Sequence, residues 1–219
     1  MENISFKGIY TASHLSPKEG MREKCIKVLS KISKLRKYES MFSLGYVVKK
    51  YIELLQKKYE SMLYVKSVDT INNVVTTLAK NIILDASLAG SGYSVVGPYM
   101  GLISSVSYTG VPVVGDTMAS HATWYEAGTG SYFPLYVVPR KTCVWAGATG
   151  GAKALTAALS FVCETTGGTV KGCFIVFGTG AVSAIADANG TLLSAGLFTG
   201  GDKILGVADT LQVSYSMSS

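Results

Sequence analysis

The sequence is poor in the residues that usually bind metals. It has two histidines and four widely spaced cysteines, and no C-x-x-C pair occurs, so it predicts no metal site and no cofactor. We expect the cysteines to be reduced and mostly buried, as in a protein that folds in the cytoplasm. The alternative is a disulfide between two of them, Cys163 and Cys173, on adjacent strands. The full set is Cys25, Cys143, Cys163 and Cys173.

Long hydrophobic runs are also missing. The chain is 48% hydrophobic and its mean hydropathy is +0.31. Gly, Ser, Thr or Lys nevertheless interrupts every stretch before it reaches the roughly 18 apolar residues that a membrane span needs. Residues 1–10 have no basic start followed by an apolar core, so they do not predict a secretory signal. We therefore expect a protein that is made in the cytoplasm and not inserted into a membrane.

Motifs for catalysis or nucleotide binding are incomplete. Residues 147–153 depart from the spacing of a phosphate loop, and residues 178–183 lack the third glycine of a dinucleotide fingerprint. A hydrolytic site would have to use His121 with Asp116 or Glu126. No nucleophile elbow or pair of carboxylates accompanies these residues. We therefore predict a non-enzymatic protein, and a hydrolase built on His121 is the least favoured class.

Charge is distributed unevenly along the chain. Residues 1–66 carry fourteen Lys and Arg against six Glu, whereas residues 67–219 carry six against eight acidic residues. Such a split indicates two regions with different partners. The basic region should favour an acidic protein surface. Contact with nucleic acid is a less favoured alternative, and a merely solvated polar face is the simplest interpretation.

The basic region is predicted to be helical. Ser16-Pro17-Lys18-Glu19 has the pattern of a capped helix start, so the first helix is expected from Pro17 to Phe42. A second amphipathic helix is predicted from Leu44 to Met62, because apolar residues recur there at intervals of three or four. Its lysines form the basic face that we predict to be an interface: Lys49, Lys50, Lys57 and Lys58.

A third helix is predicted at the junction, capped by Asp69 and ended by Ala89-Gly90. After Gly90, short β-prone runs alternate with turn residues, as in a β-sandwich. We therefore predict an α+β fold. Amphipathic helices in residues 1–66 would precede a junction helix and a glycine-rich antiparallel β-sandwich of jelly-roll type in residues 67–219. The predicted strands are Tyr99–Val106, Tyr132–Val138, Thr142–Trp145, Leu155–Cys163, Cys173–Phe177, Leu192–Phe198 and Thr210–Met217.

Turns and loops complete this description. Asn189-Gly190 predicts a tight hairpin, and Thr166–Thr169 predicts a second one. The segment from Gly110 to Tyr132 is a long connection of low regularity, and long loops on a sandwich are where binding usually occurs. Aromatic residues within it give a predicted binding loop: Trp124, Tyr125 and Tyr132.

Several short segments occur in an order typical of one protein family. They are residues 78–85 as an opening helix, 99–103 as a first strand, 168–175 as a Gly-Thr-Val turn that leads into a strand, then 190–196 and 209–213. In this order, residues 73–219 resemble small structural proteins of tailed bacteriophages, variously labelled tail-fibre, minor tail or virion proteins. The resemblance implies a virion component without catalytic residues, and it does not include the basic region.

Together, the charge split and the resemblance predict a non-enzymatic accessory protein of a virion. It would decorate the capsid or belong to the neck or tail. Its partners would be further copies of itself, a trimer being the first guess for the homo-oligomer, and the major capsid or neck and tail proteins. The alternative is a receptor- or carbohydrate-binding module at the tail tip that uses Trp124, Tyr125 and Tyr132.

Overall fold

The computed structural model of the protein describes residues 7–36, 38, 45–88, 96–137 and 139–218. The predicted helix ends at Phe42 and Ala89-Gly90 and the predicted start at Leu44 lie outside them. The helices are α1 (Arg22–Arg36), α2 (Gly45–Ser61) and α3 (Thr77–Leu88). The strands are β1 (Lys7–Pro17), β2 (Leu63–Val75), β3 (Tyr99–Ser104), β4 (Lys141–Thr142), β5 (Ala152–Ala154), β6 (Leu159–Val162), β7 (Gly168–Phe177), β8 (Thr191–Phe198), β9 (Lys203–Leu205) and β10 (Thr210–Ser218).

The described strands form one antiparallel sheet in the order β4-β3-β7-β8-β2-β1-β10-β5, while β6 also pairs with β10 and β9 with β7. The sheet curls until its two ends approach each other. An isolated bridge joins Trp145, which follows β4, to Leu155, which follows β5. The predicted α+β class with a large antiparallel sheet is therefore confirmed.

β1 corrects the helical prediction for residues 1–66. The strand pairs along its length with β10 on one side and with β2 on the other. Its inward residues include Tyr10 and Ala12, both fully buried, and they alternate with exposed ones. Ser16 and Pro17, which we predicted to begin the first helix, end this strand instead. The first helix begins later, at Arg22.

β2 corrects the predicted third helix. Asp69 lies within this strand and caps nothing, and Ile71 and Val75 are buried strand residues. The helix starts after Thr76, whose hydroxyl accepts a hydrogen bond from the Ala79 N–H at 3.2 Å, as an N-cap does. The predicted boundary between residues 66 and 67 also falls inside β2. As a result, α1 and α2 form a helix hairpin within the connection between two neighbouring strands.

Predicted strands in the second half agree with β3, β8 and β10 to within two residues, and the predicted Cys173–Phe177 is the second half of β7. The prediction for Tyr132–Val138 is wrong for its described residues, which contribute only a bridge from Tyr136 to Cys163. Of the predicted strand Thr142–Trp145, Thr142 belongs to β4 and Trp145 forms only a bridge. Of the predicted strand Leu155–Cys163, only Leu159–Val162 is a strand, β6. Bends and irregular backbone occupy the remaining described residues of these segments.

The two predicted hairpins are not formed as such. Thr166–Thr169 joins β6 to β7, which are not neighbours, because β6 pairs with β10 and β7 pairs with β3 and β8. Asn189-Gly190 does precede β8, and Gly190 has φ +89°, the left-handed conformation that glycine tolerates best. It ends a long connection, residues 178–190, rather than forming a tight turn by itself.

The interior of the curled sheet holds the main core. Tyr10 and Tyr215 pack there with ring centroids 4.5 Å apart, beside inward residues of β7 such as Ile175. All four cysteines are buried and free, so the alternative disulfide between Cys163 and Cys173 is not formed. Burial raises the pKa of the Cys163 thiol to about 12, so it stays protonated at neutral pH.

Two layers cover the outside of the sheet. The helix hairpin packs over β6 and the start of β10, with Leu29 and Tyr59 in its apolar contact. The buried side of α2 includes Ile52 and Leu55, while Tyr51 is 40% exposed. The connection between β3 and β4 covers β3, β7 and β8 on their outer face. This second layer holds the predicted binding loop.

Candidate functional site

Trp124 is the anchor of the loop layer. Its side chain is fully buried, and its ring packs on Phe174 of β7 with centroids 5.3 Å apart. The indole N–H donates a hydrogen bond of 3.0 Å to the Asp116 carboxylate. His121 stacks on the indole at 3.9 Å, and its Nδ1 lies 2.9 Å from the Trp124 carbonyl oxygen. Trp124 therefore supports the surface above it, and it reaches the surroundings only as part of the lining of the pocket described below.

Tyr125 and Tyr132 form the accessible part of the same site. Their rings are stacked almost parallel, with centroids 4.7 Å apart and an angle of 4° between the planes. A hydrogen bond of 2.8 Å from the Gly128 N–H to the Tyr132 carbonyl closes the loop that brings them together. Both tyrosines are half-buried. The structure thus places the predicted residues in one location, with the tyrosine pair outside and Trp124 beneath.

A buried ion pair forms the floor of this location. Arg140 Nε lies 2.9 Å from Glu126 Oε1, and its Nη2 lies 2.8 Å from Oε2. Arg140 also donates hydrogen bonds to the carbonyls of Val182 and Asp187, at 3.2 and 2.7 Å, and Glu126 accepts one of 2.8 Å from the Ala186 N–H. The pair therefore joins the loop after β3 to the loop after β7. Sequence reasoning missed this pair, because its members are far from any recognisable motif.

The aromatic pocket defined by these groups has a volume of about 140 Å³ and is lined by His121, Tyr125, Tyr132 and Asp187 among others. A hydrolytic site would require a carboxylate that orients His121. Asp116 binds the Trp124 indole and Glu126 binds Arg140, and among the described residues neither hydrogen-bonds His121. The predicted partners of His121 are thus occupied elsewhere, and the arrangement suits binding better than proton transfer.

The helix hairpin carries the basic surface. α1 has six Lys and Arg against one Glu, and α2 has four Lys against two Glu, which gives the two helices a net charge of +7 within a chain of net charge +6. The rest of the chain therefore has a net charge of −1. The net positive charge of residues 1–66 is therefore located almost entirely on the helix hairpin.

The predicted interface lysines all lie on the exposed part of α2, namely Lys49, Lys50, Lys57 and Lys58. Lys50 pairs with Glu53 at 3.2 Å, but both side chains are exposed, so the pair contributes little. Exposed apolar side chains, Tyr46 at 76% and Leu54 at 64%, lie among the lysines. The surface therefore combines positive charge with apolar contact area, as protein interfaces often do.

α1 adds a second row of lysines that was not part of the predicted interface. All four are exposed, at spacings of i, i+3, i+7 and i+10, which place them on one face of the helix. The buried face of the same helix contains Cys25, Leu29 and Ile32. Among the described residues, the row extends the basic surface across both helices. Its members are Lys24, Lys27, Lys31 and Lys34.

A buried polar cluster attaches the hairpin to the sheet. Asp209 accepts hydrogen bonds from the Gly206 N–H and from Arg22 at the start of α1, and it lies 3.0 Å from His14 Nε2. Burial alone would raise the pKa of Asp209, but the hydrogen bonds and the Arg22 charge hold it below 3.8. Ser16 also meets His14 at Nε2. A catalytic triad needs the serine and the aspartate on different ring nitrogens of the histidine. Ser16 and Asp209 contact the same nitrogen of His14, so that arrangement is not formed.

We found no protein-family model and no curated protein that matches this sequence. Within the described ranges, no three His, Cys, Asp or Glu side chains are grouped so that they could hold a metal ion. None of the described helices is long and apolar enough to cross a membrane.

Proposed function

We propose that the chain is a non-enzymatic structural component of a tailed bacteriophage virion, an accessory protein that decorates the capsid or belongs to the neck or tail. One observation supports this most: a hairpin with a net charge of +7 is mounted on a sheet domain that is almost neutral. Such a molecule can attach to an acidic protein lattice through one element while the remainder faces its own neighbours. The resemblance of residues 73–219 to phage structural proteins favours the same role.

The sheet offers a surface for contacts between copies. On the outer side of β2, β1 and β10, Thr11 stands in register between Thr70 and Ser214, and Val68 nearby is 64% exposed. Uncharged side chains of this kind let two positively charged molecules approach each other. We include in the proposal a homo-oligomer, with a trimer as first guess, and a jelly-roll-like sandwich, an architecture common in viral capsid and lectin domains.

Charge reversal of the predicted interface tests the attachment. We expect Lys→Glu at positions 49, 50, 57 and 58 to reduce incorporation into particles at least tenfold, because the reversed hairpin would be repelled by an acidic lattice. Binding of the wild-type protein should weaken as salt shortens the Debye length below about 8 Å. The measurement is the copy number per particle, by quantitative mass spectrometry against the major capsid protein.

A matched control changes the net charge equally on the rest of the molecule. Lys→Glu at positions 18, 80, 153 and 171 also introduces four glutamates, and all four positions lie outside α1 and α2 and outside the outer face of β1, β2 and β10. This variant should be incorporated at nearly the wild-type level. If both variants lost incorporation equally, net charge rather than the hairpin would be responsible. If neither lost it, the lysines would form only a solvated face.

A second function, receptor or carbohydrate binding at the tail tip, is favoured by the stacked tyrosine pair. The rings of Tyr125 and Tyr132 are only half-buried in the stack, so part of each side chain can meet a ligand. Sugars present C–H faces and hydroxyls that suit such a surface. The pocket of about 140 Å³ beside them could hold part of one sugar ring.

Substitution of Tyr132 separates the two functions. If the chain binds a glycan, Tyr132→Ala should weaken that binding roughly tenfold, since an aromatic contact with its buried area contributes about 1–2 kcal/mol. Tyr46→Ala on α2 is the control and should leave glycan binding unchanged. The readout is a glycan array followed by calorimetry on any positive glycan. A positive glycan that binds the Tyr132 variant normally would exclude this site.

A further inference from the structure

A larger cavity, of about 230 Å³, lies between the helix hairpin and the outer face of β6 and β10. Its walls include Leu29 and Ile32 from α1, Tyr59 from α2 and Val162 from β6. At about 30 Å³ for each water-sized group, it has room for roughly eight non-hydrogen atoms. The predominantly apolar wall suits an apolar group better than a cluster of waters.

Two cationic side chains, Arg36 and Lys141, line the cavity. Leu29, Ile32 and Arg36 line it at i, i+3 and i+7, so it follows α1 for about 10 Å at a rise of 1.5 Å per residue. Arg36 lies close enough to Lys141 for its charge to act on the Lys141 amine. Among the described residues, the Arg36 side chain makes no hydrogen bond or ion pair. Two cationic groups therefore meet at the end of the cavity away from Leu29.

Lys141 is the better placed of the two cations. Its amine donates a hydrogen bond of 2.6 Å to the Val137 carbonyl, which uses one of the three protons of an ammonium group. Burial lowers the pKa of this amine to about 8, Arg36 acts in the same direction, and Glu164 opposes them. Glu164 also lines the cavity, but among the described residues it forms no ion pair with Lys141 or Arg36. Glu60 is the other acidic group in the lining.

We propose that this cavity binds a small amphipathic anion, namely an unbranched or flat apolar group that carries one carboxylate. The apolar part would lie along Leu29 and Ile32, and the carboxylate would meet Lys141 and Arg36. Such a ligand supplies the anionic partner that the two cations lack and fills the apolar space between the hairpin and the sheet. The site is distinct from the aromatic pocket and from the exposed lysines of the hairpin.

Hexanoate is the probe, because its eight non-hydrogen atoms match the estimated capacity of the cavity. We expect it to raise the melting temperature of the full chain in a saturable manner and to raise the pKa of Lys141, followed by NMR of the lysine side chains. Acetate at the same concentration controls for ionic strength and should have no saturable effect. Hexan-1-ol and hexylamine test whether the charge and its sign matter.

Variants locate the binding. Arg36→Gln and Lys141→Met should each weaken hexanoate binding about tenfold, since each removes a charged hydrogen-bond donor. Arg36 is exposed on a helix, so its substitution leaves the fold intact even if Lys141→Met does not fold. Lys153→Met, at an exposed lysine of β5, is the matched control and should bind normally. The proposal is overturned if hexanol binds as well as hexanoate, if hexylamine binds better, if hexanoate does not bind, or if Arg36→Gln binds it unchanged.

Discussion

Replacement of Arg140 by alanine is expected to lower the free energy of unfolding by about 3–5 kcal/mol, because it leaves a buried carboxylate without its partner. The side chains of Arg140 and Glu126 are 0% and 5% exposed, so the carboxylate that is left behind is poorly hydrated. Two carbonyls, of Val182 and Asp187, also lose a donor. The loss should be measured by urea denaturation.

Two further variants distinguish the ion pair from general damage to the core. The double variant Glu126→Leu/Arg140→Met should regain part of the lost stability, since a buried pair replaced by apolar groups leaves no unpaired charge. Lys171→Ala removes the more exposed Lys171–Asp202 pair, whose nitrogen and oxygen are 2.8 Å apart, and should cost at most about 1 kcal/mol. Equal losses for Arg140→Ala and Lys171→Ala would contradict the assigned role.

Replacement of Asp209 by alanine is the second large expected effect, a loss of about 3 kcal/mol in the free energy of unfolding. The carboxylate accepts hydrogen bonds from Gly206 and Arg22 and contacts His14, and two of these partners belong to other elements. Its removal leaves buried donors unsatisfied and detaches the start of α1 from the sheet. The hairpin should then exchange its amide hydrogens faster than the sheet does, which hydrogen exchange can measure.

The same carboxylate predicts how stability changes with acid. The pKa of Asp209 is below 3.8 in the folded protein and should be near 3.8 when unfolded. A group with a lowered folded pKa contributes stability above its unfolded pKa and loses it as the pH falls through the folded value. Stability should therefore fall below about pH 4, and Asp209→Asn should flatten this decline.

Part of the decline should remain in that variant. The pKa of Asp69 is also lowered, since hydrogen bonds from Lys203, Gly200 and Thr199 outweigh the effect of burial. Asp202→Asn, at a more exposed carboxylate, is the control and should keep the wild-type acid profile. If Asp209→Asn showed the wild-type profile as well, Asp209 would not be the group that titrates.

The predicted binding loop shows which features of a site can be recognised from the local sequence and which cannot. Its aromatic residues are recognisable in the sequence, and the structure does bring Tyr125 and Tyr132 together. Sequence alone could not assign Trp124 to the buried side, because that depends on Phe174 of β7, fifty residues later. Nor could it pair Glu126 with Arg140, because their contact depends on how the connection between β3 and β4 folds against the sheet and against the loop after β7.

The sequence by itself determined the elements whose pattern is local. The amphipathic helices α1 and α2, the position of the basic charge and the alternating strand β10 could be read from residue spacing, because each depends on neighbours within a few turns or residues. Only the tertiary structure decided that residues 7–17 form a strand between β2 and β10. It also decided that Leu63–Val75 is a strand and that α3 begins after it, at Thr77. Apolar residues such as Ile71 and Val75 fit the period of a helix as well as that of a strand. Only pairing with strands that are distant in the sequence selects the extended form, and closing the loops between such strands costs conformational entropy.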